Sequence, residues 1–241
     1  MNLVLFDFDD TVTKLDTTLP FGAFFVGHPR IRGRLLLLIF ALGLAKFRVI
    51  TNTGLKKIFA RLFLRGRTRE NVRELANGFY QTRMEALVDE ELISTLRMHV
   101  VQGDSVYLLS ANFDCLLEPL VARWSLAGVI ATRAEVRAEV YTGGITGVAC
   151  HGEEKLQRVI ARFGRAAVEQ AVAYGNRDDA PLLHIARKGY LVRRTRSPGL
   201  VGRFRRWSRI VSWKLSADDL SHVRVIELLP APDGSGRVNG G

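Results

Sequence analysis

The sequence predicts an α/β protein: a Rossmann-like parallel sheet core with a small helical cap domain and a β-hairpin at the sheet edge. Short apolar runs alternate with stretches of helical periodicity, which is the pattern of strands joined by crossover helices. Polar residues follow several of the apolar runs, at the strand ends where such sheets form their sites. A long segment near the amino terminus is helical throughout and interrupts the alternation.

The predicted elements follow in order along the chain. Strand-like runs span residues 3–7, 105–109, 127–131, 171–175 and 190–193. Helical stretches span residues 85–101, 113–125, 153–163 and 179–187. Residues 133–150, with Thr142-Gly143-Gly144 in the middle, predict the hairpin. With 241 residues, the chain is long enough for one sizeable core and a small second domain.

The first predicted strand ends in three acids, Asp7, Asp9 and Asp10, followed by Thr11. Acids beside a buried strand cost desolvation free energy unless a site uses them. In an extended chain, side chains two apart share a face, so Asp7 and Asp9 point into one cavity, about 6–7 Å apart. Because two such carboxylates repel each other and an incoming phosphate, a divalent cation is the simplest remedy, and oxygen ligands favour Mg²⁺. An acidic turn is the alternative for this stretch alone, and Asp10 is interpreted as a turn former.

Three further stretches carry candidate site residues. Ser110-Ala111-Asn112 follows an apolar run, although a helix cap is the ordinary role of Ser or Asn there. Lys155 stands near the start of a predicted helix, where a Lys beside two Glu is usually a surface residue. The last stretch is an apolar run followed by Gly175-Asn176-Arg177-Asp178-Asp179 and then Pro181-Leu182-Leu183.

In this order the four stretches resemble the four motifs of the haloacid dehalogenase superfamily, in particular its phosphatase branch, over about residues 1–195. The resemblance implies a Mg²⁺-dependent phosphatase in which Asp7 forms an aspartyl phosphate and Asp9 is the general acid and base. Lys155 is the third implied catalytic residue. The implied phosphate-binding residues are Thr11, Ser110, Asn112 and Lys155. The implied metal ligands are Asp7, Asp9, Asn176, Asp178 and Asp179.

One departure from the family pattern concerns the last motif. Its two acidic positions are usually four apart, whereas Asn176 and Asp179 are three apart and the first is an amide. Either Asp178 or Asp179 is therefore the second metal carboxylate, with Asn176 offering a neutral oxygen. We favour Asp178 for the metal, directly or through water, and Asp179 for holding Lys155. If neither reaches a metal, the chain is a degenerate relative that binds rather than hydrolyses.

The resemblance also divides the chain. Residues 1–15 and 95–196 form the predicted catalytic core, residues 16–94 the helical cap, and residues 197–241 a basic aromatic extension with a flexible tail. The position of the cap resembles the phosphoserine phosphatase branch, and its apolar, Arg-flanked helix also resembles bacterial phosphatidylglycerophosphate phosphatases. The predicted substrate is a phosphomonoester, with a membrane lipid phosphate such as phosphatidylglycerophosphate favoured over a small soluble one. For phosphoserine, Asp16 and Arg61 would be the partners of the amine and the carboxylate.

Two segments hold the whole excess of positive charge, which is formally +11. Residues 28–73 contain twelve Lys or Arg against the single acid Glu70, and residues 187–214 contain ten against none. The first segment encloses the apolar run 35–45, which is too short to span a bilayer and predicts either a buried cap helix or an interfacial one. The second contains residues 202–214, a basic aromatic stretch suited to an anionic membrane surface or to packing on the core. Nucleic acid is an unlikely partner, since unbroken apolar runs are unusual on such a face.

The sequence also bears on location. A catalytic motif that starts at residue 7 leaves no room for a signal peptide. Cys115 and Cys150 follow no disulfide or zinc pattern. We therefore expect a cytoplasmic protein, peripheral at the inner membrane face if the basic segments bind lipid.

Overall fold

The computed structural model describes residues 1–26, 32–194 and 224–228. These residues form a seven-stranded sheet in the order β4-β3-β2-β1-β5-β6-β7. The strands are Leu3–Asp7 (β1), Ser105–Phe113 (β2), Gly128–Arg137 (β3), Val140–Thr146 (β4), Val172–Gly175 (β5), Lys188–Arg194 (β6) and Arg224–Leu228 (β7). Neighbouring strands are parallel except β3 and β4, which are antiparallel. The predicted α/β fold is confirmed.

Helices cover the sheet and build the cap. They are Thr18–Phe25 (α1), Arg32–Lys46 (α2), Asn52–Phe59 (α3), Arg69–Leu87 (α4), Glu90–Val101 (α5), Asp114–Arg123 (α6), Glu153–Phe163 (α7), Arg165–Glu169 (α8) and Ala180–Ile185 (α9). A wide helical turn, Ala60–Leu64, continues α3, and a short 3₁₀ helix, Arg177–Asp179, precedes α9.

The central position of β1 follows from its composition. Val4, Leu5 and Phe6 are all fully buried, as a strand covered on both faces requires. Because successive side chains alternate between faces, Val4 and Phe6 join the apolar cluster that includes the cap, while Leu5 joins the cluster under α7 and α9. The strand pairs with β2 on one side and β5 on the other, so the carboxyl ends of all three lie together.

The predicted helix over residues 85–101 is wrong near its start, because the chain is extended at Val88 between α4 and α5. Asp89 starts the second helix by accepting hydrogen bonds from the N–H groups of Glu91 and Leu92. Val88 forms an antiparallel bridge with Thr13, so the two passages of the chain between core and cap run side by side. Helix α5 therefore crosses the predicted cap boundary at residues 94/95.

The turn of the predicted hairpin also lies elsewhere. The chain reverses at Ala138 and Glu139, whose φ angles are 46° and 64°, as a two-residue hairpin turn of this hand requires. Gly143 and Gly144 lie within β4 instead. A Cβ atom at Gly143 would lie 2.9 Å from the Arg65 Cβ, so its glycine lets the hairpin approach the cap closely.

Backbone hydrogen bonds join the hairpin to the cap. Gly66 N donates to Tyr141 O, and Tyr141 N donates to Arg67 O, each at 2.9 Å. Arg69 N donates to Glu139 O at 3.0 Å. The stretch between the Ala60–Leu64 turn and α4 thus pairs with β4, and the cap is fastened to the core at a second place besides Thr13 and Val88.

The carboxyl-terminal extension is only partly described. Within the predicted carboxyl-terminal extension, residues 224–228 form β7, a strand that the sequence did not predict, and pair in parallel with β6. The apolar residues Val225, Ile226 and Leu228 suit a strand, but a run of five residues in a charged context gave too weak a signal. The basic aromatic stretch 202–214 and residues 230–241 lie outside the described residues. Among the described helices, none combines the length and the apolar character that crossing a bilayer requires.

Candidate active site

Four segments bring polar side chains to the carboxyl-end edge of the sheet. Asp7 ends β1, Ser110 lies near the end of β2, and Asn176 directly follows β5. Lys155 reaches the same point from the first turn of α7. The β2–β3 register shifts between Ser110 and Phe113, a bulge of the kind that re-aims side chains beside active sites.

Asp7 is buried and held by three donors. Its Oδ1 accepts a hydrogen bond from Lys155 Nζ at 2.7 Å. Its Oδ2 accepts from Thr11 Oγ1 at 2.7 Å and from Asn176 Nδ2 at 2.9 Å. Burial and then the charge of Asp179 raise the pKa of the Asp7 carboxyl, while Lys155 and Thr11 act in the opposite direction. The carboxylate is thereby fixed in orientation at the end of the central strand.

Lys155 is a buried cation that lies between two carboxylates. Besides Asp7, its ammonium group donates to Asp179 Oδ1, and the other oxygen of Asp179 accepts from Asn176 N at 3.1 Å. Burial disfavours the ammonium, but the charges of Asp179 and Asp7 outweigh it and raise the pKa of Lys155 above its ordinary value. Lys155 therefore stays charged and supplies a fixed positive charge at Asp7.

Asp9 belongs to a second network, which reaches into the cap. Its Oδ1 accepts from the backbone N–H of Thr17 at 2.8 Å and from the Thr17 hydroxyl, and its Oδ2 accepts from Ser110 Oγ at 2.8 Å. Burial, followed by the charge of Asp16, raises the pKa of the Asp9 carboxyl, and Lys56 and Thr17 lower it. A carboxyl with a raised pKa suits the exchange of a proton with a leaving group.

The two amide residues have different contacts. Asn112 is fully buried, donates from Nδ2 to Thr17 Oγ1 at 3.1 Å and accepts at Oδ1 from Phe113 N. Its side chain is therefore connected to Asp9 through Thr17. Asn176 donates from Nδ2 to both Asp7 Oδ2 and Asp9 O, while its Oδ1 accepts from Asp178 N at 2.8 Å.

Asp178 is a predicted metal ligand, and Asp10 is a predicted turn former. Asp178 is exposed, and its Oδ2 lies 3.4 Å from His151 Nε2, a contact that holds the pKa of the Asp178 carboxyl below its usual value. Asp10 adopts φ 58°, a left-handed conformation that Asp tolerates better than most residues, so it shapes the loop.

The donor atoms around Asp7 fit Mg²⁺ in part. Asp7 Oδ2 and the main-chain oxygen of Asp9 converge, since both lie within hydrogen-bond distance of the single atom Asn176 Nδ2. Asn176 could add its oxygen only by a half-turn of the amide, which would break the bond from Asp178 N. Over residues 1–26, 32–194 and 224–228, no group of three or more His, Cys, Asp or Glu is arranged to hold a metal ion. A cation here would rely on few protein oxygens, as Mg²⁺ does where water and a substrate phosphate complete its shell.

Sequence reasoning missed the contribution of the cap. Lys56 of α3 is buried, and its Nζ donates to Thr18 Oγ1 at 2.9 Å, close enough to Asp9 to lower the pKa of that carboxyl. Thr17, the partner of Asp9, was also overlooked. Arg61, considered for a substrate carboxylate, lines an open groove against the hairpin together with Arg65. Lys56 is one of eleven Lys or Arg between Asp16 and Glu70, and only its burial distinguishes it from the rest.

The fold is a largely parallel α/β sheet with acids at the end of its central strand and a helical cap over that edge. The family model of haloacid dehalogenase-like hydrolases matches residues 4–184, and the chain belongs to this family. The family predicted from the sequence is therefore confirmed. No curated protein matches the chain.

Solved structures share the fold. A protein of unknown function from Bordetella pertussis Tohama I superposes with a TM-score of 0.70 at 22% identity, over 94% of this chain and 98% of its own. A HAD family hydrolase from Salmonella enterica serovar Typhi has a TM-score of 0.61 at 19% identity, over 79% and 62%. A phosphoserine phosphatase solved as a phospho-aspartyl intermediate analogue has a TM-score of 0.55 at 20% identity, over 82% and 88%.

Proposed function

We propose that the protein is a Mg²⁺-dependent phosphatase that hydrolyses a phosphomonoester through an aspartyl phosphate on Asp7. The observation that carries the proposal is the convergence of Asp7, Asp9, Ser110 and Lys155 on one edge of the sheet. The phosphoserine phosphatase that shares the fold was solved with an analogue of such an intermediate, which supports the same chemistry here.

Asp7 is the proposed nucleophile. One of its oxygens attacks phosphorus in line, forming the new P–O bond while the bond to the leaving alcohol breaks. Lys155, Thr11 and Asn176 hold the carboxylate in a single orientation, so little reorganisation is needed before the attack. The Lys155 charge also offsets negative charge that accumulates on the phosphoryl oxygens.

Asp9 is the proposed acid and base. It gives its proton to the leaving alkoxide, and then takes a proton from the water that attacks the aspartyl phosphate and releases phosphate. Ser110 and Thr17 fix its two oxygens, and the raised pKa of its carboxyl favours the protonated form that the first step requires. When bound, Mg²⁺ would supply positive charge beside Asp7 Oδ2 and the Asp9 main-chain oxygen.

Replacement of the nucleophile tests this chemistry. With a generic aryl phosphate and Mg²⁺, Asp7→Asn should lower kcat by at least about a thousandfold, because the amide cannot form the phosphoryl intermediate. Asp9→Asn should instead let phosphorylated Asp7 accumulate, which intact-mass spectrometry of quenched reactions detects. Exposed Asp178→Asn is the matched control for removing a carboxylate near the site.

The same experiment separates hydrolysis from mere binding. Two features support the non-catalytic alternative. Position 176 holds an amide in place of a carboxylate, and Asp178 contacts His151. Equal and negligible rates for the native chain and Asp7→Asn, with and without Mg²⁺, would support a binding protein and end the phosphatase proposal.

The substrate is proposed to be a lipid phosphate such as phosphatidylglycerophosphate, because the cap presents an apolar helix bordered by basic residues. A small soluble substrate of the phosphoserine type is the second candidate. It is favoured by the acid and the cation that meet at Thr18, where Asp16 Oδ1 accepts from the backbone N–H and Lys56 Nζ donates to the hydroxyl. Such a pair offers opposite charges to the amine and carboxylate of an amino acid.

A panel of lipid and soluble phosphate esters distinguishes these substrates. A lipid phosphatase should show its highest kcat/KM with a lipid ester presented in mixed micelles, and a phosphoserine phosphatase with free phosphoserine. The predicted cytoplasmic location and the contact with an inner membrane face stay predictions.

A further inference from the structure

Helix α2 exposes an apolar face. Leu38 and Ala41 point inwards and are buried, which anchors the helix to the rest of the cap. Four large apolar side chains on its outer side are open to solvent: Leu36 at 68%, Leu37 at 56%, Ile39 at 47% and Phe40 at 66%. At 100° per residue, the mean direction of Leu36 and Phe40 around the helix lies about 150° from that of Leu38 and Ala41. Phe47 and Val49 continue the face past the end of the helix, at 73% and 67% exposure.

This face departs from an ordinary protein surface. Single exposed apolar side chains are common, but a contiguous group of this kind marks an interaction site or a liability. The apolar run 35–45 is thus buried on one side of the helix and exposed on the other.

Basic residues border the apolar face. Arg34 lies exposed at the amino-terminal end of α2, and Lys46 and Arg48 lie exposed at its carboxyl-terminal end. No acidic residue occurs in the sequence between Asp16 and Glu70. The first turn contains Arg32 and Arg34 and no acid, although the helix dipole disfavours cations there. Both ends of the helix therefore favour an anionic partner.

We propose that α2 docks the protein on an anionic lipid bilayer, with the apolar face inserted at the level of the headgroups and the basic residues on lipid phosphates. A bilayer surface supplies an apolar layer directly beneath a layer of negative charge, which matches the order of side chains around this helix. The inference goes beyond the proposed function, since docking requires no hydrolysis.

Other occupants match the charges less well. A second copy of the chain would bring Arg34, Lys46 and Arg48 of one molecule against the same residues of the other, without an acid in either segment. The stretch 202–214 is itself basic and would be repelled in the same way. A nucleic acid offers the negative charge but no apolar surface for Leu36 and Phe40.

The position of α2 in the cap determines where a bound bilayer would lie relative to the site. The helix packs on α1, on α3 and on the Ala60–Leu64 turn, so it forms the outer layer of the cap. Helix α3, directly beneath it, carries Lys56, and α1 begins at Thr18 beside Asp16. Docking through α2 would place the part of the cap that lines the site next to the membrane surface.

Vesicle flotation with the full chain tests the proposal. The native protein should float with vesicles of equal parts phosphatidylcholine and phosphatidylglycerol, and far less with phosphatidylcholine alone. Leu36→Ser combined with Leu37→Ser and Phe40→Ser should weaken the partition at least about tenfold, because three inserted side chains are lost. The matched control is Met98→Ser with Val101→Ser on α5, which removes apolar side chains that are 48% and 86% exposed. This control should leave the partition onto vesicles unchanged.

Charge variants give an independent measurement. Lys46→Gln with Arg48→Gln should weaken binding to the anionic vesicles by several fold and make it less sensitive to salt. Arg97→Gln with Arg123→Gln removes two exposed cations from α5 and α6 and serves as the control.

An environment-sensitive fluorophore locates the contact even if a Ser variant folds poorly. A nitrobenzoxadiazole label on Phe40→Cys should shift its emission to the blue on anionic vesicles, and the same label on Met98→Cys should not. Cys115 and Cys150 are buried and do not compete for the label.

Three results would overturn docking through α2. They are failure of the native chain to bind the anionic vesicles, unchanged binding by the triple Ser variant, and a lipid-free dimer that this variant abolishes. Urea unfolding and aryl phosphate hydrolysis without vesicles are measured on every variant, so failure of the proposed function and failure of docking are distinguished.

Discussion

The site has two sides that are built differently. The floor is formed by Asp7, Lys155 and Asp179 at the edge of the sheet, and the roof by Lys56 of the cap. On the floor, Asp7 and Lys155 are buried, and each polar atom has partners from other strands or helices. The roof contributes Lys56, a buried cation whose Nζ donates a hydrogen bond to Thr18 Oγ1. The floor thus holds groups in one geometry, as bond-making requires, whereas the roof presents a charge that a substrate can engage. The proposed chemistry and the proposed selection of the substrate therefore lie in different parts of the chain.

Among the substitutions that compare the floor with the roof, removal of the Asp179 carboxylate should have the largest effect. Asp179→Asn leaves the buried Lys155 with one carboxylate, and we expect a loss of about 3 kcal/mol in the free energy of unfolding. Activity should fall by about a hundredfold, because Lys155 and Asn176 both lose the partner that positions them. Urea denaturation and kcat/KM for an aryl phosphate measure the two effects.

Asp178→Asn is the matched change one residue away. Asp178 is exposed and faces His151, so the unfolding free energy should change by less than about 0.5 kcal/mol. A larger loss for Asp178→Asn than for Asp179→Asn would show that Asp178 is the acid that the site depends on.

Removal of the cation on the roof should have a smaller and more selective effect. Lys56→Met should raise KM about tenfold for a substrate with a second anionic group, and change kcat little. Because Lys56 lowers the pKa of Asp9, its loss should raise that pKa. The acid must be protonated, so the alkaline limb of the pH–rate profile should move to higher pH.

Lys57→Met is the control, since Lys57 is exposed on the same helix. Equal effects of the two changes on KM would mean that only the general positive charge of the cap matters, and the distinction between roof and floor would lose this support.

Substitutions where the hairpin packs against the cap should have the smallest effect. Gly143→Ala places a Cβ 2.9 Å from the Arg65 Cβ at a residue with φ 86°, so both crowding and backbone strain are expected. Gly147→Ala introduces similar strain at φ 75° with open space around it. We expect Gly143→Ala to be less stable than Gly147→Ala by about 1 kcal/mol in urea denaturation. Equal stabilities would indicate that the hairpin and the cap separate freely.

Sequence reasoning recovered the sheet well. Each predicted strand is present, because buried parallel strands are continuous apolar runs that few other elements imitate. It failed where local signals were ambiguous. The predicted helix 85–101 runs across the break between α4 and α5, where Val88 forms a bridge with Thr13, 75 positions away in the sequence.

For the site, local motifs identified the residues of the floor and missed those of the roof. Asp7, Asp9, Ser110 and Lys155 stand in recognisable stretches, and the structure brings them together. Lys56 and Thr17 stand in no such stretch. Their roles depend on how α1 and α3 pack over the sheet, which no local pattern contains.

By itself, the sequence determined the α/β class, the family and the order of acids along the sheet edge, because these depend on residues that are neighbours in the chain. The sequence also favoured Asp179 as the partner of Lys155, and the structure contains that contact. Tertiary structure alone decided that one Lys of the cap is buried beside Asp9 and that α2 is apolar on its solvent side. Each of these depends on the distance between segments that are remote in sequence, and hydrophobic packing of the whole chain sets that distance.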